Sequence, residues 1–410
     1  MHRIVVIAVV WLLSACHLSQ GATIYVDSNS TAAAAGCGQD ITTACRTIAD
    51  GFSIASTGDI IEIQPGLYTG EGNENLNSIN FTAMQLTISG SSGTADDVVI
   101  MCSSPNRFLA ANVQFYTVIR DLTIRNCSSM VTTTDMVGAG GALFLAQVST
   151  PVVISNVIFF GNKARNGGAI FLEASSLTLL DCVFLANEAQ YWGGAVFSRD
   201  SGLTIQSSRM LSNSAHGDLG DSQVNVDTDQ AGKGGAIHGN GGSRLTLLAS
   251  EFTGNSARLS GGAVFLNLVS GLSVLDCLFL NNIASGGEAC SSDQVCQVRG
   301  GGLYVKDVAV TVTNSSFIGN SAITQDLSQV WGVIGLCLSI NLSIFLSICV
   351  SVGAYICICV YMCVTFSTSV CVYMCATFST SVFLSVYMYL SPYVSVCLSV
   401  CLSICLYVVS

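Results

Sequence analysis

The chain has 410 residues, half of them apolar and a tenth charged, with forty glycines, four prolines and a net charge of -11. That acidity excludes a nucleic-acid partner, which needs clustered Lys and Arg for phosphate contacts. The glycine content and low charge fit a β-rich repeat rather than a helical or disordered chain.

Residues 1–21 have the order of a secretory signal: Arg3 near the start, an apolar run over 4–13, then small residues ending at Gly21. Export to the extracellular side or cell surface is the expectation. Leu13-Ser14-Ala15-Cys16 also fits a bacterial lipoprotein box, with Cys16 acylated. Residues 22–115 read as a cap and first coils: a strand at 23–27, a short helix at Cys45-Arg46-Thr47-Ile48-Ala49, and a strand and turn over 58–68. In an oxidising compartment Cys37 with Cys45, Cys102 with Cys127, and Cys290 with Cys296 are candidate disulfides. Buried free thiols are the other reading of these cysteines. Asn29, Asn80, Asn126 and Asn314 each open an acceptor sequon for glycosylation in a eukaryotic secretory route.

Residues 116–326 are repetitive, beginning with a divergent coil over 116–127. A glycine pair then recurs before a short apolar strand, at Gly140-Gly141, Gly167-Gly168, Gly193-Gly194, Gly234-Gly235, Gly261-Gly262 and Gly300-Gly301. Each is answered by an aromatic-x-x-Asn signature: Phe159/Asn162, Phe184/Asn187, Met210/Asn213 with Met for Phe, Phe252/Asn255, Phe279/Asn282 and Phe317/Asn320. From first glycine to asparagine the distance is 22, 20, 20, 21, 21 and 20 residues, so one unit is copied. From asparagine to the next glycine pair it is 5, 6, 21, 6 and 18, so the large insertions fall at one corner. Such insertions map to loops on one face of a solenoid. Between the markers lie runs with period two, such as Leu177-Thr178-Leu179 and Leu245-Thr246-Leu247, which predict strands. A unit this small cannot bury its own apolar face, so the units must stack. The stacking predicts phenylalanines piled inside the tube, asparagines bonded from coil to coil at a turn, and glycines at tight corners.

The paired G-G-A-[ILV] and F-x-x-N signatures resemble the repeat of the chlamydial polymorphic outer membrane proteins over about 116–322, and the N-terminal segment resembles the cap of pectin-lyase-fold proteins. The resemblance implies an all-β, right-handed parallel β-helix of the pectin-lyase-like kind, displayed at a surface and often adhesive. No β-barrel translocator follows the repeats as it does in that family.

Residues 327–410 carry no charge at all. Hydropathy allows more than one membrane span there, each needing about 20 apolar residues, and helices anchoring the chain in a membrane are one expectation. The pattern also has a genetic reading. Residues 360–370 recur as 372–382 with one change, and 397–405 has a period of four, which a four-base DNA repeat read in triplets produces. With Gln329-Val330, whose codons allow a splice-donor sequence, this makes a translated intron the other expected origin of the tail.

Pectin-lyase folds include polysaccharide lyases and glycoside hydrolases, whose chemistry needs particular side chains. Hydrolysis needs two carboxylates flanking the bond, and lyase action a calcium cluster with a basic residue. Asp96-Asp97, the one adjacent carboxylate pair, belongs to a turn after Ser91-Ser92-Gly93. The acidic insertion from His216 through Asp218 and Asp221 to Asp227 and Asp229 reads as a solvated loop or as calcium ligands. His216 and His238 read as surface or turn residues rather than ligands. Asp181-Cys182 and Asp276-Cys277 hold one place in coils three apart, at about 14 Å, too far for a disulfide. The sequence thus implies no catalytic residue, metal or cofactor. It predicts a secreted or cell-surface scaffold with an extracellular glycan or protein receptor as partner, and a polysaccharide-acting lyase or glycoside hydrolase as the alternative.

Overall fold

The computed structural model describes residues 21–77, 85–112, 116–130, 138–217, 232–285 and 298–323, with strand segments at 334–338, 346–349, 357–366 and 368–377. The signal segment, Asn80, Cys290, Cys296 and the acidic run 218–229 lie outside them.

The coil that opens at Gly167 runs through strands Ile170–Glu173, Ser176–Leu180, Val183–Leu185 and Glu188–Trp192. Each pairs in parallel with its equivalent one coil on: Ile170 with Val196, Leu177 with Leu203, Phe184 with Met210, Glu188 with Ser214. Three sheets result. The first strands make a glycine-led sheet, the middle two a broad sheet, and the last a narrow sheet. Parallel strands joined by right-handed crossovers, the hand that nearly all such connections take, make a right-handed parallel β-helix. The divergent coil at Tyr116–Arg125 is part of the stack, in register with Val152–Phe160.

What closes each coil is a left-handed residue at every corner. In this coil they are Gly167, Ala174, Asp181 and Ala186, with φ of 63°, 45°, 51° and 53°. Such a conformation costs an L-residue roughly 1–2 kcal/mol. The strain is offset because the ladder runs on through the corner: Ala174 N–H donates to the Arg199 carbonyl at 3.0 Å, Asp181 to Gln206 at 3.1 Å, and Ala186 to Leu211 at 3.0 Å. The next N–H along is met by a side chain of the following coil. Ser175 donates to Ser201 Oγ at 3.2 Å and Ser201 to Ser243 Oγ at 3.1 Å. At the neighbouring corner Cys182 donates to Ser208 Oγ at 3.0 Å, and Ser208 to Ser250 Oγ at 3.1 Å. Cys182 and Cys277 therefore stand where other coils place serine, and each thiol donates to a carbonyl two residues back at 3.3 Å. Burial pushes Cys182 up to about 12 and Cys277 up to about 11, so neither is a nucleophile at neutral pH.

The third corner carries the asparagines, all within 3% exposure. Asn187 Nδ2 donates to the Phe159 carbonyl at 3.0 Å and to Asn213 Oδ1 at 2.9 Å, and the Asn187 N–H donates to that same Oδ1 at 3.0 Å. Asn162, Asn213, Asn255, Asn282 and Asn320 continue this one ladder. Inside the tube Phe159 stacks on Phe184 at 4.6 Å, and Phe252, Phe279 and Phe317 follow at 4.7 and 4.5 Å, with Met210 filling the step between the two piles.

At the N-terminal end the helix Ile48–Ile54 begins on Thr47, whose Oγ1 accepts from Asp50 N–H at 3.1 Å. Its buried face, Ile48, Gly51 and Phe52, covers the first coil beside Thr23–Val26 and Ile60–Ile63, protecting an otherwise bare edge. Cys37 is bonded to Cys45 and Cys102 to Cys127. The second bond closes a span of 25 residues between neighbouring coils, so Cys102→Ser is expected to lower stability by about 3 kcal/mol, read as a drop in the urea unfolding midpoint.

The tail differs from the helical expectation wherever it is described. Ile334–Leu338 pairs in parallel with Leu303–Val308, and Leu346–Cys349 with Ser315–Ile318, so two strands extend the stack. Cys357–Phe366 and Thr368–Thr377 form an antiparallel hairpin. The physical reason is that the last coil presents free N–H and C=O groups, and the β-branched, alternating tail suits a strand better than a helix. No helix among the described residues is long and apolar enough to cross a membrane.

Candidate functional site on the outer face of the glycine-led sheet

In strands Leu143–Ala146, Ile170–Glu173, Val196–Arg199, Ile237–Asn240, Val264–Asn267 and Leu303–Val308, alternate residues point into the core and out of the tube. The outward residues make two columns. One is Phe144, Phe171, Phe197, His238, Phe265 and Tyr304. The other is Ala146, Glu173, Arg199, Asn240, Asn267 and Lys306.

The aromatic column is a second ladder, outside the tube. Ring centroids step by 5.1, 5.1, 5.2, 4.9 and 5.2 Å along it, with near-parallel planes. Ring faces are taken by their neighbours, and from Phe171 onward the rings are buried, so a sugar has no free ring face to stack on. The insertion corner leans on this ladder: Lys233 lies 5.2 Å from the Phe265 centroid, Trp192 6.0 Å from Phe197, and Arg299 Nη1 donates to Tyr304 Oη at 2.9 Å.

The polar column stands beside it. Glu173, its one carboxylate, is held by Arg199 of the next coil, while Lys306 is exposed. The Oδ1 atoms of Asn240 and Asn267 are covered and without a hydrogen-bond partner. Some carboxylates elsewhere are similarly engaged. In the cleft lined by Thr47, Asp50, Glu71, Glu74 and Asn106, Glu74 accepts from Ser103 N–H at 2.5 Å, Ser103 Oγ and Asn106 Nδ2, and Asp50 accepts from Thr47 Oγ1 at 2.7 Å. Asp97 lies in a turn, its carbonyl accepting from Gly66 N–H. Among the described residues no group of three or more His, Cys, Asp or Glu side chains is placed to hold a metal.

His238 corrects the surface or turn expectation. It occupies the aromatic position of its coil, 5% exposed, with Nδ1 unpartnered and its ring between Phe197 and Phe265. A doublet followed by Ala-Ile-His in place of Ala-Ile-Phe was the signal that could have placed it. Burial, with Lys233 adding to it, lowers its pKa from 6.5 to about 3. As pH falls below 6.5 the unfolded chain binds this proton while the folded chain does not, so stability declines by about 1.4 kcal/mol per pH unit toward about pH 3. His238→Phe is expected to remove that decline, measured as urea midpoints between about pH 6 and pH 4. His216, by contrast, is exposed, 3.9 Å from Glu188.

The sequon residues Asn29, Asn126 and Asn314 are exposed, the last donating to Asp276. The glycine pairs line the turn into the glycine-led sheet. The second glycine of each touches backbone on the next coil, as at Gly141, Gly168, Gly194, Gly235 and Gly262.

Parallel register, asparagine ladder and N-terminal helix together define a pectin-lyase-like β-helix. Residues 156–173, which hold one F-x-x-N signature and the following glycine pair, match the Chlamydia polymorphic membrane protein repeat. Among solved structures the chain is similar to pectate lyase Pel9A, at 14% identity over 73% of this chain and 79% of that one with a TM-score of 0.30. It is also similar to a rhamnogalacturonan lyase, at 14% identity over 72% and 88% with a TM-score of 0.33. No curated protein matches it. The chain is a right-handed parallel β-helix in which residues 156–173 match one repeat of the polymorphic membrane protein type.

Proposed function

We propose that this chain is a cell-surface binding scaffold, adhesive rather than catalytic, which recognises an extracellular glycan or protein receptor. The observation that carries the reading is where length varies. The long insertions enter between asparagine and glycine pair, and the residues that end that corner, Lys233 and Arg299, reach onto the outer face of the glycine-led sheet. A rigid, in-register face bordered by variable loops is a common layout for recognition. On that face Glu173 is neutralised by Arg199, leaving the half-buried Asn240 and Asn267, whose Oδ1 atoms are covered, and the exposed Lys306 to make contacts. The polymorphic membrane protein repeat supports surface display, with the N-terminal signal as the route.

The experiment applies the full-length chain to a glycan array and to cell-surface proteins, then incubates it with polyuronides. Saturable binding that Asn240→Ala and Lys306→Glu weaken together is expected. Unsaturated or reducing ends appearing in the polyuronide reaction would favour a lyase or hydrolase instead.

A further inference from the structure

The broad sheet has an outer face of its own, formed by six successive coils from Val152–Phe160 to Ser315–Ile318. One outward column is Phe160, Leu185, Leu211, Thr253, Leu280 and Ile318. Beside it stand Ile158, Val183, Arg209, Glu251, Leu278 and Ser316. Phe160, Leu275 and Ile318 are 38%, 37% and 40% exposed. An apolar face of this extent is rarely left open on a monomer. The charges in these two columns, Arg209 and Glu251, lie 3.5 Å apart at the middle step, with three coils on either side.

We propose that two copies of this chain pair through this face, coil axes antiparallel, about a two-fold axis parallel to the strands and midway between Arg209 and Glu251. Charge selects that register. Arg209 then meets Glu251 of the second copy and the reverse, whereas an axis half a step away sets one of them against itself. The same operation brings Leu185 to Leu280, Phe160 to Ile318, Val183 to Leu278 and Leu180 to Leu275, with Thr204 opposite Thr246. These contacts are mainly apolar on apolar, with Leu211 opposite Thr253 and Ile158 opposite Ser316 as mixed pairs, and each occurs twice, as an isologous interface requires. At about 4.8 Å per coil and about 3.3 Å per residue the two columns offer about 300 Å², and both strands of the sheet together, about ten residues per coil including the column Thr178, Thr204, Thr246, Ser273 and Thr311 and the exposed Arg244, offer about 950 Å² per copy. A standard interface buries about 800 Å² per partner. A chain of net charge -11 repels its copies, and these columns hold a balanced pair. One pairing opposes association: Asp181 faces Asp276 of the second copy, both exposed at the corner between the two strands.

The test is the mass of the full-length chain in mild detergent, by light scattering across micromolar concentrations. A dimer is expected. Leu185→Glu and Leu280→Arg should each raise the dissociation constant at least tenfold, and the double variant should recover dimer. Within one chain these two positions are three coils, about 14 Å, apart and cannot form an ion pair with each other. Asp181→Asn should tighten the dimer. Circular dichroism confirms that each outward substitution folds. A monomeric parent, a dimer indifferent to Leu185→Glu, or a double variant no better than the singles would overturn the proposal. So would an N-glycan on Asn314 in the secreted protein, because that residue stands on the same face.

Discussion

Asn213→Leu is expected to lower stability by about 3–6 kcal/mol. Asn213 Oδ1 accepts from both the N–H and the Nδ2 of Asn187, and its own Nδ2 donates to the Phe184 carbonyl and to Asn255 Oδ1. Leucine leaves the Asn187 donors and the Phe184 carbonyl short of a partner in a fully buried corner, at about 1–3 kcal/mol for each unsatisfied group. Against a net stability of about 5–15 kcal/mol for a typical domain, this is a large fraction. Asn162→Leu provides the comparison. Asn162 ends the ladder, and its Oδ1 accepts from the Cys127 N–H alone, so the loss should be smaller. Urea unfolding followed by circular dichroism should rank the parent above Asn162→Leu and that above Asn213→Leu. Equal midpoints for the two variants would mean that the ladder is not the source of the stability.

Gly194→Ala should cost about 3 kcal/mol, near the upper end for overpacking. A β-carbon there would lie 2.0 Å from the Gly235 carbonyl oxygen, on the next coil, and 2.6 Å from Ser214 N, at the end of its own coil, both backbone atoms. Neither can retreat without breaking parallel pairing, and Gly194 N–H itself donates to the Gly234 carbonyl at 3.0 Å. Gly202→Ala is the matched control. It lies in a strand of the broad sheet, where a β-carbon meets nothing closer than Ser176 Oγ at 3.4 Å, so stability should change by about 0.5 kcal/mol or less. Thermal unfolding of the two variants side by side separates a steric requirement for glycine from a general sensitivity to alanine.

Much of this architecture is written in the sequence because a solenoid is nearly one-dimensional. The glycine pairs and F-x-x-N signatures recur at fixed spacing, and that spacing alone forces the asparagines and inner phenylalanines into columns. The N-terminal helix was legible in outline from the Cys45-Arg46-Thr47-Ile48-Ala49 run, although it begins at Ile48 and extends to Ile54. Other features left no local mark. Ala174, Ala186 and Leu268 take left-handed corners that their side chains do not favour, because hydrogen bonds to the next coil decide the conformation. Phe171 and Phe184 are both buried phenylalanines in strands, yet one lies outside the tube and the other inside. Only the parity of the strand, fixed by the second glycine's contact, tells them apart. His238 inherited its burial from that same parity, against the ordinary expectation for an isolated histidine. The tail pointed toward helices through its hydropathy, while its described segments answer to the open edge beneath them.

The sameness of the coils also bears on how such a chain changes over generations. Each Asn187-type residue offers the coil after it what it takes from the coil before, so a gene segment encoding one whole coil can be duplicated or lost without leaving any corner unmatched. Unequal recombination between near-identical repeats is then tolerated when it occurs in whole units, and the molecule can lengthen or shorten in steps. Selection on the sequence of the loops can act separately from selection on the ladder that carries them.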